Sequence, residues 1–308
     1  MRKPSTHTRM ALWVLFVLGL FIGTVPFDGP AFATEGGGGA YPKGAEDFMM
    51  GALPPPGTYF LNYVEHYTAT SFKDHDGDNL FPKFDLDVAV NVFRLVHVTK
   101  YEILGANWGM HAFLPLMHMN VDALPMGADD KSGVGDIIVD PFILGWHSKN
   151  FHITTGLDIY IPLGSYDEDR LANTGRNYWT FEPVAGVTYL GDNGFELSGK
   201  FMYDFNLENN DTNYKSGQEF HFDYTVGYHV DKNLAVGFGG YYYSQTTDDE
   251  KNGDKVGADG FKGRVMALGP QVAYNYKNTS FTIKWQNEFE TENRPQGNNF
   301  WCKFMYAF

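Results

Sequence analysis

Carboxylates at Asp136, Asp140, Asp158, Glu182, Glu196, Asp204, Asp223 and Glu288 recur along this chain between large apolar residues, with Lys200, Lys284, Lys303, His111, His152, His221 and His229 falling on the same face of the pattern. Charges of both signs on one face can select solutes, as a polar pore wall does. They can equally pair with one another, fill a narrow interior and hold strand register. The sequence leaves both readings open. A second group is apolar: Phe60 and Val64 early in the patterned region adjoin Trp301 and Met305 if the first and last strands are neighbours, and Tyr160, Tyr178, Tyr241 and Tyr243 add aromatic surface elsewhere. Such a patch suits slow passage of a greasy solute, which needs apolar contact but few traps. It suits equally the docking of Phe48, Met49 and Met50.

Two further constellations invite chemistry. Asp74, Asp76 and Asp78 place carboxylates at i, i+2 and i+4, with Asp85 twelfth, a spacing at which oxygens can converge on calcium. Glycine stands fourth rather than sixth and no helices flank the loop, so a solvated acidic loop is the plainer expectation. Ser198 and His221 share a face on neighbouring strand candidates, but no oxyanion motif accompanies them, and they are expected near opposite ends of their strands. No P-loop, dinucleotide fingerprint or zinc-spaced Cys/His cluster is present. The expectation is therefore a non-enzyme with no cofactor.

The elements that must position these groups are strands. Phe195, Leu197, Phe201, Tyr203 and Phe205 alternate with Glu196, Ser198, Lys200, Met202 and Asp204, and the same period of two runs through Glu219–Val230 and Phe281–Phe289. Strand candidates fall at roughly 58–70, 84–98, 107–119, 134–146, 151–163, 178–190, 195–206, 218–230, 234–245, 263–276, 279–290 and 299–308. Short links at 147–150, 191–194, 231–233 and 277–278 alternate with polar ones at 71–83, 122–133, 164–177, 207–217, 246–262 and 291–298. Segments of this length, with turns and loops on opposite ends, predict an all-β fold: a transmembrane antiparallel up-and-down barrel of about twelve strands. Pro115 and Pro141 weaken the third and fourth strands, because each removes a ladder donor.

The ends of the chain agree with export to a bacterial outer membrane. Arg2, Lys3 and Arg9 precede an apolar run from Ala11 to Val25 and the tripeptide Ala31-Phe32-Ala33, which reads as a signal peptide over 1–33, cleaved before Thr34. At the other end Phe304, Tyr306 and Phe308 resemble the C-terminal strand signal by which outer-membrane barrels are recognised for assembly by the barrel-assembly machinery. The expected surroundings are outer-membrane lipid and lipopolysaccharide. A formal charge of −14 argues against a nucleic-acid partner, and Cys302, the single cysteine, cannot form an internal disulfide.

Residues 34–56 stand apart. Gly36 to Gly39, Tyr41-Pro42-Lys43 and Pro54-Pro55-Pro56 oppose both strand and helix, so this stretch is an extended lead-in that lies either in the periplasm or in the lumen, ahead of a barrel over 57–308. These glycines with the Tyr-Pro-x-Gly that follows, Pro54-Pro55-Pro56-Gly57-x-Tyr59, and Gly133-Val134-Gly135-Asp136-Ile137, in that order, resemble the outer-membrane family named for meta-pathway phenol degradation. The resemblance covers essentially all of the chain after the signal. It implies a channel for small hydrophobic or aromatic solutes, and it brings no agreed binding residues. A lipid-modifying barrel enzyme and a structural or adhesive barrel are the alternatives.

Overall fold

The computed structural model describes residues 35–308; the expected signal peptide and its cleavage point lie outside them. Twelve antiparallel strands close into a barrel: β1 Gly57–Phe72, β2 Lys83–Ile103, β3 Ala106–Leu124, β4 Ile137–His147, β5 Phe151–Ile161, β6 Thr180–Leu190, β7 Phe195–Asn206, β8 Glu219–His229, β9 Leu234–Gln245, β10 Arg264–Tyr276, β11 Thr279–Glu292 and β12 Pro295–Ala307. Each strand pairs with its sequence neighbours. Closure comes from β1 against β12, with Tyr59 opposite Ala307 and Glu65 opposite Trp301. Pro115 and Pro141 are both accommodated. β3 keeps its pairing with β2 through Pro115, opposite Val92, while the ladder between β4 and β5 shifts register between Val139 and Leu144, around Pro141.

One end of the barrel carries tight turns, and the other carries the long connections 73–82, 162–179, 207–218 and 246–263. By the usual asymmetry of such barrels the first end is periplasmic and the second external. Two connections differ from expectation. Residues 122–133 are not an irregular loop, because Gly127–Val134 forms an arm that continues β4 outward and pairs with the end of β3. Residues 291–298 are hardly a loop at all: β11 runs to Glu292, β12 starts at Pro295, and Arg294 turns inward over the Tyr243 ring at 4.2 Å. Their polarity signalled a polar interior rather than exposure to water.

The alternation has the sense expected of a membrane barrel. On β7, Phe195, Leu197, Phe201 and Phe205 are exposed while Glu196, Ser198, Lys200 and Asp204 are buried, a pattern that is stable only when the outer face meets lipid. Among the described residues no helix is long and apolar enough to cross a membrane. Phe201→Arg, in the middle of β7, is expected to cost about 2–4 kcal/mol in a urea titration of the lipid-inserted protein. His229→Arg on the inner face places a cation beside Glu196, 2.5 Å from His229 Nε2, and is expected to cost much less. Equal costs would contradict the assignment of faces.

On β1 the expected facing is reversed. Phe60 and Val64 lie on the outer surface, Val64 being 44% exposed, while Tyr59, Leu61, Tyr63 and Glu65 point inward. Directly opposed residues share a face, and Trp301 lies opposite Glu65 and Met305 opposite Leu61. Placing Phe60 and Val64 beside Trp301 and Met305 amounts to a one-residue slip, which turns every side chain to the other face. Both sets on β1 are largely apolar, so alternation alone could not fix the parity.

Candidate permeation path

The lead-in threads the lumen. At the external end Glu35 accepts from Tyr166 (3.1 Å) and Asn209 (2.7 Å), and its amide donates to Ser216. At the periplasmic end Tyr59 donates to the Pro55 carbonyl at 2.7 Å where the chain enters β1. Glycine is what lets the segment fit. Gly44 adopts φ +78°, and a Cβ there would meet Gln286 Oε1 at 2.4 Å and Tyr241 at 2.7 Å. A Cβ at Gly51 would run into the backbone of β5 and β6, at 2.6 Å from the His152 carbonyl and 2.5 Å from the Thr188 amide.

The lead-in docks on the charged half of the wall. Asp223 accepts from the Tyr41 hydroxyl (2.7 Å) and from the Gly44 and Glu46 amides (both 3.0 Å). Glu196 accepts from the Met49 amide at 2.6 Å, and Lys43 donates to Glu219 at 3.2 Å. Lys284 donates to the Gly44 and Glu46 carbonyls, and Lys303 to Asp47 at 2.6 Å. Backbone groups of an irregular segment must find partners away from water, and the strand charges supply them here. At the external end burial, reinforced by Glu35, pushes the Tyr166 phenol well above its ordinary range, while Arg170 on the same long loop holds Asp129 of the arm at about 2.

The opposite wall is apolar. Val88, Val90, Val92 and Val96 of β2 point inward with Leu61, Tyr63 and Trp301. Between this wall and the lead-in lie two cavities. The external one, about 230 Å³, is lined by the β2 valines, Met117, Met119 and residues 37–43. The periplasmic one, about 310 Å³, is lined by Leu61, Val96, Ile143, Met49, Met50 and Leu53. Glu46 borders both. Arg94, the charged residue among the β2 valines, reaches across to Glu46 at 3.4 Å, to Tyr63 Oη at 3.0 Å and to His111 Nδ1 at 2.9 Å, and Lys200 approaches Glu46 from the other side at 3.5 Å. The bridge stands where the two cavities meet, with Glu46 on both and Arg94 and Lys200 on the periplasmic one.

The comparisons with known proteins follow the same lines. The sequence matches the family described as "Putative MetA-pathway of phenol degradation" over residues 69–304. The chain belongs to this family. No curated protein matches it. Among solved structures, the COG4313 outer membrane channel from Pseudomonas putida F1 is similar at 17% identity over 85% of this chain and 98% of that one, with a TM-score of 0.76, which shows a shared fold. The translocator domain of autotransporter NalP from Neisseria meningitidis is 7% identical over 84% and 91% with a TM-score of 0.49, too distant to carry an argument. The segment Gly133-Val134-Gly135-Asp136-Ile137, which lies within the matched range, has a visible role. It is the break between the external arm and β4, where Asp136 accepts from the Gly164 and Arg176 amides (2.9 and 2.8 Å) and tethers the 162–179 loop over the lumen. Gly133 lies so close to that loop that a Cβ would meet Thr174 Oγ1 at 2.7 Å.

Other expected residues sort as follows in this family member. Asp140 accepts from the Phe142 and Leu157 amides, Asp158 pairs with His111 at 2.6 Å, and Glu288 accepts from Tyr67 and Tyr241. Glu182, Asp204 and His221 gather on β6, β7 and β8. Trp301 and Met305 face the lumen, whereas Phe60 and Val64 do not. Phe304 lies against Phe281 of β11, and Tyr306 against Phe308. Ser198 and His221 are not brought together, since Ser198 lies opposite Thr225 and His221 opposite Met202, and Ser198 is engaged by Glu196 and Thr188. The acidic loop does not gather its carboxylates either. Asp74 Oδ1 caps the Asp76 and Asp78 amides (3.0 and 2.9 Å), and these three aspartates are not among the groups of ligand atoms that converge. Arg94 and the β2 valines were missed. Their signal was present in Leu86-Asp87-Val88-Ala89-Val90-Asn91-Val92, an alternation whose polar members face outward.

Proposed function

We propose that this protein is an outer-membrane channel that admits small hydrophobic compounds, of the size of single-ring aromatics, along the crescent between the lead-in and the β2 valines. One observation carries the reading. Two cavities, each with apolar side chains along one wall and charged groups along the other, share the Glu46 carboxylate of a single ionic bridge, and each exceeds the roughly 150 Å³ in which an apolar site holds benzene. A wall without deep polar traps lets such a solute move on, while the charged half of the lumen is occupied in holding the lead-in. The family's phenol-degradation description and the channel named among similar folds support the same reading. Lipid and lipopolysaccharide surround the aromatic outer face, and Phe304, Tyr306 and Phe308 serve as the signal to the assembly machinery. Intact cells lacking the protein should take up labelled phenol or toluene more slowly at low external concentration, and Val90→Asp should reproduce the defect in cells that carry normal amounts of folded barrel. Unchanged uptake across a panel of aromatics would overturn the proposal.

A further inference from the structure

Glu182 on β6, Asp204 on β7 and His221 on β8 are fully buried, and one ligand atom from each lies within 4.8 Å of the others. His221 Nε2 is 3.2 Å from Asp204 Oδ2 and 3.4 Å from Glu182 Oε2. Ligands held at 2.0–2.1 Å around a tetrahedral zinc ion are about 3.3 Å apart along each edge. His221 Nε2 is hydrogen-bonded to Asp204 Oδ2, the Glu182 and Asp204 carboxyl groups are in hydrogen-bond contact with each other, and Glu182 Oε1 and Asp204 Oδ1 accept from no other donor, an arrangement that is costly for two adjacent buried carboxylates. Among the described residues the only Lys or Arg nitrogen within 4.0 Å of either carboxylate is Lys43 Nζ, 3.9 Å from Asp204 and engaged with Glu219. Tyr160 donates to Glu182 Oε2 at 3.0 Å, an outer hydrogen bond of the kind that orients a metal-binding carboxylate. The Tyr41 ring stacks on the His221 imidazole at 5.0 Å and shields the group from the path.

We infer that Glu182, Asp204 and His221 form a binding site for one divalent transition ion of the zinc class. An imidazole with two carboxylates favours such an ion over calcium or magnesium, which prefer oxygen alone. A dication balances the two carboxylates, and the ion ties three successive strands together behind the lead-in. The second acidic group with a histidine, His111, Asp140 and Asp158, differs in this respect. His111 has partners at both ring nitrogens, Arg94 and Asp158, and both Asp140 oxygens accept backbone amides.

Because Tyr41 covers the site, the ion should be offered during folding. The full-length protein would be refolded from urea into detergent with zinc chloride, with cobalt chloride or with EDTA, freed of unbound metal by gel filtration, and analysed by elemental mass spectrometry and thermal unfolding. The expected result is close to one zinc per chain, a visible cobalt spectrum of low symmetry, and a higher Tm with zinc than with EDTA. Asp204→Asn and Glu182→Gln should lower zinc affinity at least about tenfold, while Asp140→Asn leaves it unchanged. Wild-type protein that folds with zinc yet retains none overturns the inference, whatever the variants do. Retention equal in wild type and Asp204→Asn would assign the metal elsewhere and overturn it too.

Discussion

Deletion of Gly36–Leu53, with Thr34, Glu35 and the barrel retained, is expected to turn a poorly conducting barrel into an open one, raising small-ion conductance in planar bilayers several-fold. A twelve-stranded barrel is wider than the eight-stranded kind that side chains alone can fill, and here the difference is taken up by the lead-in. Its removal leaves Lys284, Lys303 and Asp223 without the backbone and side-chain partners they have now and takes the Met49 amide from Glu196, which keeps Ser198 and His229. Water must then replace those partners, because unpaired buried charges cost several kcal/mol each, and a hydrated lumen conducts. Currents from the full-length protein as large as those of the deletion variant would show that the lead-in does not limit flow. A deletion variant that inserts, shows heat-modifiable migration and conducts no better would show the same from the other side.

The barrel was legible because the membrane imposes one rule on many residues. Phe195 to Phe205 and Phe281 to Phe289 each repeat the same outward apolar set, so the errors of single positions average out. Legibility failed where the lumen itself is apolar. On β1, with Tyr59-Phe60-Leu61-Asn62-Tyr63-Val64, both faces are greasy and parity depends on register against β12, which no local pattern encodes. On β2 the rule is inverted, with valines inside and Asp87 and Asn91 outside. These are made tolerable by pairing, since His66 meets Asp87 at 2.9 Å and Asn62 donates to Asn91 at 2.7 Å. The charged wall was visible as a set of residues, but its purpose was not. Asp223 and Lys284 bind backbone groups of a segment more than 175 residues away in sequence, and nothing in Gly36 to Gly39 names those partners. The segment's own Phe48, Met49 and Met50 advertised a need for cover. Phe48 finds it against Gly227 and the His229 ring rather than against Trp301.

Glu46→Ala is expected to open the constriction while leaving the lead-in anchored, giving a conductance between those of the wild type and the deletion variant. The carboxylate lies between Arg94 at 3.4 Å and Lys200 at 3.5 Å, with little access to solvent. Removing the carboxylate leaves Arg94 without its ion-pair partner and Lys200 with only Asp158 at 3.9 Å, a change worth about 3–5 kcal/mol. The backbone contacts of the same stretch survive, because Asp223 still accepts from the Gly44 and Glu46 amides and Lys284 still donates to their carbonyls. Arg94 then swings toward Asp158 or water, and the external and periplasmic cavities join. Arg94→Ala should open the same passage from the wall side, so the double variant should conduct little better than either single one, the non-additivity that a shared contact produces. Additive gains would mean that the two residues restrict flow at separate places. A Glu46→Ala protein that folds and inserts yet conducts like wild type would move the constriction away from this bridge, to the loop that Asp136 holds over the external end.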